Sequence, residues 1–146
     1  MGKLRHIALS VPDAEAAAQF FEKAFGMKRV GTTLPTAAAR GVYLTDGVVN
    51  LALLHFADGV PIPGYDGDPK RAAIIHFGMW VDDFNEAEQS VYEAGGTYVT
   101  GKHGDGAPHN YVEVKYASPD GIVFDVTQLG WVGATKDVVP AAKQPA

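Results

Sequence analysis

Apolar and polar residues alternate along the chain in two patterns that predict strands and helices in a fixed order. Residues 4–11 alternate between small and bulky side chains, which predicts a strand with His6 on its small-residue face. Apolar residues then recur at helical spacing, so we predict a helix over 14–25 with Asp13 as its N-cap and Gly26 at its C-terminal end. Further apolar runs predict three strands, at 28–34, 40–45 and 48–56.

The same order then begins again. Residues 73–81 form a second apolar run that contains His76, and a capping-box pattern at Asp83 predicts a second helix that closes near Gly95. His6 and His76 are 70 residues apart and hold the same place in each repeat. An internal repeat of this kind predicts two β-α-β-β-β half-modules, each with a histidine on its first strand. The remaining strands of the second half are predicted at 97–100, 109–116 and 122–128.

The repeat also sets the predicted domain layout. The 146 residues form one domain, 1–146, by the usual size prior. Its half-modules span about 4–57 and 72–129, and a loop rich in proline and glycine, 58–71, links them. Residues 130–146 are predicted to be a C-terminal arm or frayed tail. The fold class is therefore α+β, with both halves contributing to one cupped mixed sheet.

Composition and charge exclude several classes of protein and several kinds of site. A net charge of −5 without a basic run excludes the electrostatic footprint of a nucleic-acid-binding protein. The absence of cysteine excludes disulfides, thiolate metal sites and cysteine nucleophiles. The apolar runs are too short to span a bilayer, and the first residues do not form a signal peptide, so no membrane partner and a cytoplasmic location are expected.

The repeat and the late segment Ser-Pro-Asp-Gly-Ile-Val-Phe-Asp, residues 118–125, resemble the vicinal oxygen chelate superfamily. This superfamily includes glyoxalase I, extradiol dioxygenases, methylmalonyl-CoA epimerase and the bleomycin and fosfomycin resistance proteins. Its members hold a metal ion with a histidine from the first strand of each half and a carboxylate four residues after the late glycine. The resemblance covers residues 4–129, and it implies a homodimer because many one-module members complete their pockets as dimers.

Carried onto this chain, the resemblance implies a metal site formed by His6, His76 and Asp125. Asp125 stands where glutamate is more common, and its shorter side chain would pull the metal towards its strand or bind it through one oxygen. Two imidazoles and one carboxylate in a facial arrangement suit iron(II) or manganese and leave open coordination positions. Zinc and nickel are also compatible with these ligands.

Glyoxalase I and its relatives add a fourth ligand from the last strand of the first half. Aligning the Asp-Gly turn at 46–47 with the turn at 120–121 places Leu51 opposite Asp125. Asn50 would take this place only if the alignment shifted by one residue, but strand alternation would then point its side chain to the other face. His55 is on the same face as Leu51 but about 13 Å farther along the strand. The sequence thus predicts three protein ligands and an open fourth position.

Three other residues are weaker candidates for catalysis: Glu113, His109 and Tyr111. Glu113 could act as a general base or a substitute ligand, but a charge pair with Lys115 on an edge strand is the favoured interpretation. His109 and Tyr111 lie in or next to a glycine-rich loop, where functional groups often gather.

The expected function is that of a metal-dependent enzyme whose small substrate chelates the metal through two vicinal oxygens. Dioxygenase-like ring cleavage of a catechol-like substrate is the first hypothesis, and a glyoxalase I-like lyase is the second. A metal-free binding protein of the bleomycin-resistance type is the alternative from another class, because fold alone does not separate these functions.

Overall fold

The computed structural model describes residues 1–33, 36–68, 71–101 and 113–139. The first half contains one helix and four strands: β1 (Lys3–Ser10), α1 (Ala14–Phe25), β2 (Lys28–Thr32), β3 (Ala39–Thr45) and β4 (Asn50–Phe56). The second half repeats this order: β5 (Ala73–Trp80), α2 (Phe84–Glu93), β6 (Thr97–Thr100), β7 (Val114–Ala117) and β8 (Val123–Thr127).

All eight of these strands join one mixed sheet in the order β2-β3-β4-β1-β5-β8-β7-β6. The two first strands, β1 and β5, run antiparallel at its centre, and each pairs in parallel with the last strand of its own half. The order reads as two halves related by a rotation about the β1–β5 pair. The predicted α+β fold with two β-α-β-β-β half-modules is confirmed.

Local signals set the helix ends as predicted. The Asp13 carboxylate accepts hydrogen bonds from the first-turn amides of α1, and Gly26 ends that helix with a φ of 67°, a left-handed conformation that favours glycine. Asp83 caps α2 by accepting from the amide of Glu86. These caps satisfy amide groups that have no partner inside the helix.

Strand β4 begins two residues later than predicted, and the turn before it explains why. The Asp46 carboxylate accepts hydrogen bonds from the amides of Val48 and Val49. Those amides are therefore engaged by the turn, and ladder pairing of β4 starts only at Asn50.

Both helices cover the same face of the sheet. Leu53 of β4 packs against Ala18 of α1, and Val126 of β8 packs in a second cluster with Phe84 of α2. The opposite face carries a smaller apolar cluster of Ala8, Ala52, Ile62 and Ile75. Since side chains alternate along a strand, residues of β1, β4, β5 and β8 that point away from the helices all meet on this second face, which we call the cavity face.

Over its described part, residues 130–139, the C-terminal segment is an arm docked on the sheet, the first of the two predicted alternatives. The Arg5 guanidinium donates to the carbonyls of Thr135 and Lys136. The Thr45 hydroxyl donates to the Gly133 carbonyl at 2.7 Å. Polar groups near the ends of β1 and β3 thus hold this segment against the sheet.

Candidate metal centre

Strand register brings His6, His76 and Asp125 together on the cavity face. His6 lies opposite Gly78 on the neighbouring antiparallel strand, and Gly78 lies opposite Asp125 in the parallel β5–β8 pair. His76 is two residues before Gly78 and therefore shares its face. One ligand atom from each of the three side chains lies within 4.8 Å of the others. Three central strands thus place two imidazoles and one carboxylate at one point.

A hydrogen-bond chain fixes the tautomer of His6. The Asn50 amide nitrogen donates to the Val132 carbonyl at 2.8 Å, which orients the amide so that its oxygen faces His6. The His6 Nδ1 atom lies 2.8 Å from that oxygen and must be the donor. The Nε2 atom then carries the lone pair that a metal ion requires.

Burial keeps His6 neutral. The side chain is 3% exposed, and burial together with the neighbouring His76 lowers the pKa of the His6 imidazole from 6.5 to about 4. The ring is therefore uncharged at neutral pH, as a metal ligand must be.

Asp125 is fully buried and is held by two cationic or polar neighbours. Its Oδ1 atom accepts from the Lys115 ammonium at 2.5 Å, and its Oδ2 atom lies 3.2 Å from His76 Nε2. Burial alone would raise the pKa of the Asp125 carboxyl, but His76 and Lys115 outweigh burial and lower it. Asp125 is therefore ionised at neutral pH.

The Oδ2 atom of Asp125 is available to bind a metal ion. Within the described residues it is buried and has no hydrogen-bond donor, because the 3.2 Å contact with His76 lacks hydrogen-bond geometry. A buried carboxylate oxygen without a donor is costly unless something else compensates it. Two ligands bound at about 2.1 Å and at right angles around one ion are about 3 Å apart. The donor set therefore fits a divalent metal ion, which Asp125 would bind through its Oδ2 atom.

Trp131 was missed by the sequence analysis, which assigned it to the arm. Its indole stacks on His6 with ring centroids 4.8 Å apart and an interplanar angle of 5°, and its Nε1 donates to a Glu113 carboxylate oxygen. A Cβ atom at Gly78 would lie 2.4 Å from this indole, so the stack requires glycine there. The only signal in the sequence was an aromatic residue placed shortly after the last strand.

A cavity of about 230 Å³ opens at this site. Its polar wall contains the two histidines, Glu113 and Lys115, and Tyr43 adds a phenol whose pKa is raised by burial and by Glu113. The apolar wall consists of Ala52, Leu54, Phe56, Ile62, Pro63 and Ile75. A depression of about 280 Å³ at α2 is larger, but of the described residues that line it none belongs to the histidine–aspartate group.

The weaker candidates divide into two groups. Glu113 lines the cavity, and Lys115, its expected charge partner, donates a hydrogen bond to Asp125. His109 and Tyr111 lie outside the described residues.

The predicted fourth position was wrong by one residue. Ala8, two residues after His6, pairs with Ala52, just as Gly78, two residues after His76, pairs with Asp125. The counterpart of Asp125 is thus Ala52, which lines the cavity, whereas Leu51 packs on the helix face. The register differs because β4 begins three residues after Gly47 and β8 begins two after Gly121.

Asn50 was also misjudged, since it lies on the cavity face and supports His6. His55 is placed as expected, away from the centre: its Nδ1 lies 3.3 Å from the Val11 carbonyl. In the described residues, no helix has the length and apolarity that crossing a bilayer requires.

Comparison with known proteins agrees with this architecture. The chain is 32% identical over 89 residues to human mitochondrial methylmalonyl-CoA epimerase, covering 60% of this chain and 51% of the relative. It is 32% identical over 98 residues to the ethylmalonyl-CoA/methylmalonyl-CoA epimerase of Cereibacter sphaeroides, covering 65% and 72%. The chain spans about half the length of the mitochondrial relatives it matches.

Solved structures show the same fold. A hypothetical protein from Bacillus halodurans superposes with a TM-score of 0.67 at 21% identity, covering 86% of this chain and 92% of that chain. A Mn(II)-bound glyoxalase from Novosphingobium aromaticivorans gives 0.57 at 19% identity, covering 96% and 44%. The family model of the Glyoxalase/Bleomycin resistance protein/Dioxygenase superfamily matches residues 3–126. The chain belongs to this superfamily.

Proposed function

We propose that this chain is an enzyme that binds a divalent metal ion through His6, His76 and Asp125 and acts on a small substrate with two adjacent oxygen atoms. The observation that carries the proposal is the convergence of the three ligand atoms within 4.8 Å, beside a cavity of about 230 Å³. Manganese or iron(II) suits this donor set, and zinc and nickel are alternatives. A bound divalent ion would polarise the substrate oxygens and stabilise negative charge that develops on them.

The reaction that we favour is a proton transfer at a carbon next to the chelating oxygens. Glu113 lines the same cavity, and the Trp131 indole holds its carboxylate in place, so it could serve as the base. The curated relatives are named as epimerases, which fits a reaction of this type. In this proposal Asn50 and Trp131 hold His6, and the apolar wall excludes water from the carbon that loses its proton.

Ring cleavage of a catechol-like substrate is the second candidate, and Ala52 favours it. A methyl group at the fourth position offers no ligand, so three protein ligands would leave positions for both substrate and oxygen. A metal-free binding protein is the third candidate, because the Lys115 ammonium already neutralises Asp125.

One series of measurements separates the three. Metal content is determined in protein purified without chelators, and Mn²⁺, Fe²⁺ and Zn²⁺ are then titrated by calorimetry. Absence of stoichiometric binding would exclude both enzymatic candidates and leave the metal-free binding protein. With metal bound, oxygen consumption with catechol and Fe²⁺ supports ring cleavage, whereas solvent deuterium uptake into an acyl-CoA without oxygen consumption supports proton transfer.

A further inference from the structure

Lys115 occupies a place that the proposed function leaves unused. Its side chain is 19% exposed, lines the cavity and donates from Nζ to Asp125 Oδ1 at 2.5 Å. An ammonium group has three N–H donors, and this hydrogen bond uses one of them. The cation therefore stands directly beside a proposed metal ligand and faces the space that a substrate would fill.

The charges around the cavity change sign when a metal binds. Among the described residues at the cavity and the metal site, two carboxylates, Asp125 and Glu113, and one ammonium, Lys115, carry charge. Because an imidazole nitrogen that binds a metal carries no proton, a divalent ion turns this excess of one negative charge into an excess of one positive charge. A cavity with a partly apolar wall strengthens the attraction of this net charge for an anion.

We propose that Lys115 forms an anion subsite and that the substrate is a small carboxylate that chelates the metal, such as a 2-hydroxy or 2-oxo acid. This inference rests on the proposed function. A carboxylate has two oxygens, so one can reach the metal while the other accepts a hydrogen bond from Lys115. Charge-assisted hydrogen bonds of this kind are about twice as strong as neutral ones. The subsite would thus favour an anionic substrate over a neutral one of the same shape.

The test compares two probes of nearly the same shape, of which one is an anion and the other is neutral. Glycolate and its neutral amide, glycolamide, are titrated into Mn²⁺-loaded protein, and binding is followed by the water-proton relaxation rate. The metal itself favours the anion, so the informative quantity is the ratio of the two dissociation constants in wild type and variants. Lys115→Met should lower the preference for glycolate by about 10-fold or more, the loss expected for a hydrogen bond to a charged group. Lys28→Met, the same change at an exposed position, should leave the ratio unchanged.

Each result has one meaning. Failure of the wild type to bind Mn²⁺ rejects the proposed function and this inference with it. If Lys115→Met still binds Mn²⁺ and the ratio of dissociation constants is unchanged, the anion subsite is rejected and the proposed function stands. If Lys115→Met no longer binds Mn²⁺, the subsite is also rejected, because Lys115 is then a part of the metal site. Lys115→Gln keeps a hydrogen-bond donor for Asp125 but removes the charge, so it must also lower the preference for glycolate. This variant replaces Lys115→Met if Lys115→Met does not fold.

Discussion

The Asn50 amide oxygen lies 2.8 Å from Nδ1 of His6, and this contact decides which ring nitrogen can face a metal. Replacing Asn50 with leucine removes the acceptor and frees the ring. We expect metal affinity to fall about 10–100-fold, the usual cost of losing such an outer partner. Asn50→Asp keeps an acceptor and should retain most of the affinity in a calorimetric titration. Equal losses in both variants would contradict the orienting role.

The three proposed ligands should each be required for metal binding. His6→Ala, His76→Ala and Asp125→Ala should abolish stoichiometric binding, because each removes one donor from a converging group. His55→Ala is the matched control, since this histidine lies away from the centre, next to the Val11 carbonyl. Metal content and circular dichroism are measured together. Full metal occupancy in His76→Ala, or unfolding of all three variants, would reject the site.

Substitutions at two neighbouring residues, Ala52 and Leu51, test which of them occupies the fourth ligand position. Ala52→Glu places a carboxylate in the cavity, where it should add a fourth ligand and tighten Zn²⁺ or Ni²⁺ binding. Leu51→Glu places the same group against the core beneath α1 and should lower the free energy of unfolding by about 1–3 kcal/mol. Thermal melts with and without metal distinguish them. Metal-dependent stabilisation of Leu51→Glu instead of Ala52→Glu would contradict the register.

The stability of the metal-free protein should depend on pH through His6. Its pKa is about 4 when folded and 6.5 when unfolded, so the unfolded state binds more protons between these values. The stability present at neutral pH is therefore lost as the pH falls from 6.5 to 4, by about 3 kcal/mol from this group.

Asp125 contributes in a different window. Its folded pKa is lowered from 3.8, so its contribution is present above 3.8 and is lost only at lower pH.

Urea unfolding of EDTA-treated protein between pH 7 and 4 measures the His6 effect. His6→Gln should flatten the curve in that range, and an unchanged slope would assign the pH dependence to another group.

Trp131 should stabilise the domain as well as the site. Trp131→Ala removes a buried ring that stacks on His6 and should cost about 3–5 kcal/mol. Trp131→Phe keeps an aromatic ring but removes the donor to Glu113, at a cost of about 1.5–3 kcal/mol. Trp80→Phe, which loses a hydrogen bond to the Gln128 carbonyl, is the control for the same chemical change elsewhere. Only the Trp131 variants should weaken metal binding.

The sequence by itself determined the repeat, the helix caps and the pair of histidines. Caps such as Asp13 and Gly26 act within a few residues, and alternation places His6 on a face without knowledge of its neighbours. These features are encoded locally, so they can be predicted from a short stretch of chain. The late carboxylate, Asp125, followed from the family resemblance.

Contacts between distant segments were decided only by the tertiary structure. The turn before β4 is one residue longer than the turn before β8, and that single residue moves the fourth position from Leu51 to Ala52. The pairing of Lys115 with Asp125 and the stacking of Trp131 on His6 likewise depend on which strands and segments become neighbours. Because strand register and docking are fixed by the packing of the whole sheet, no local pattern could specify them.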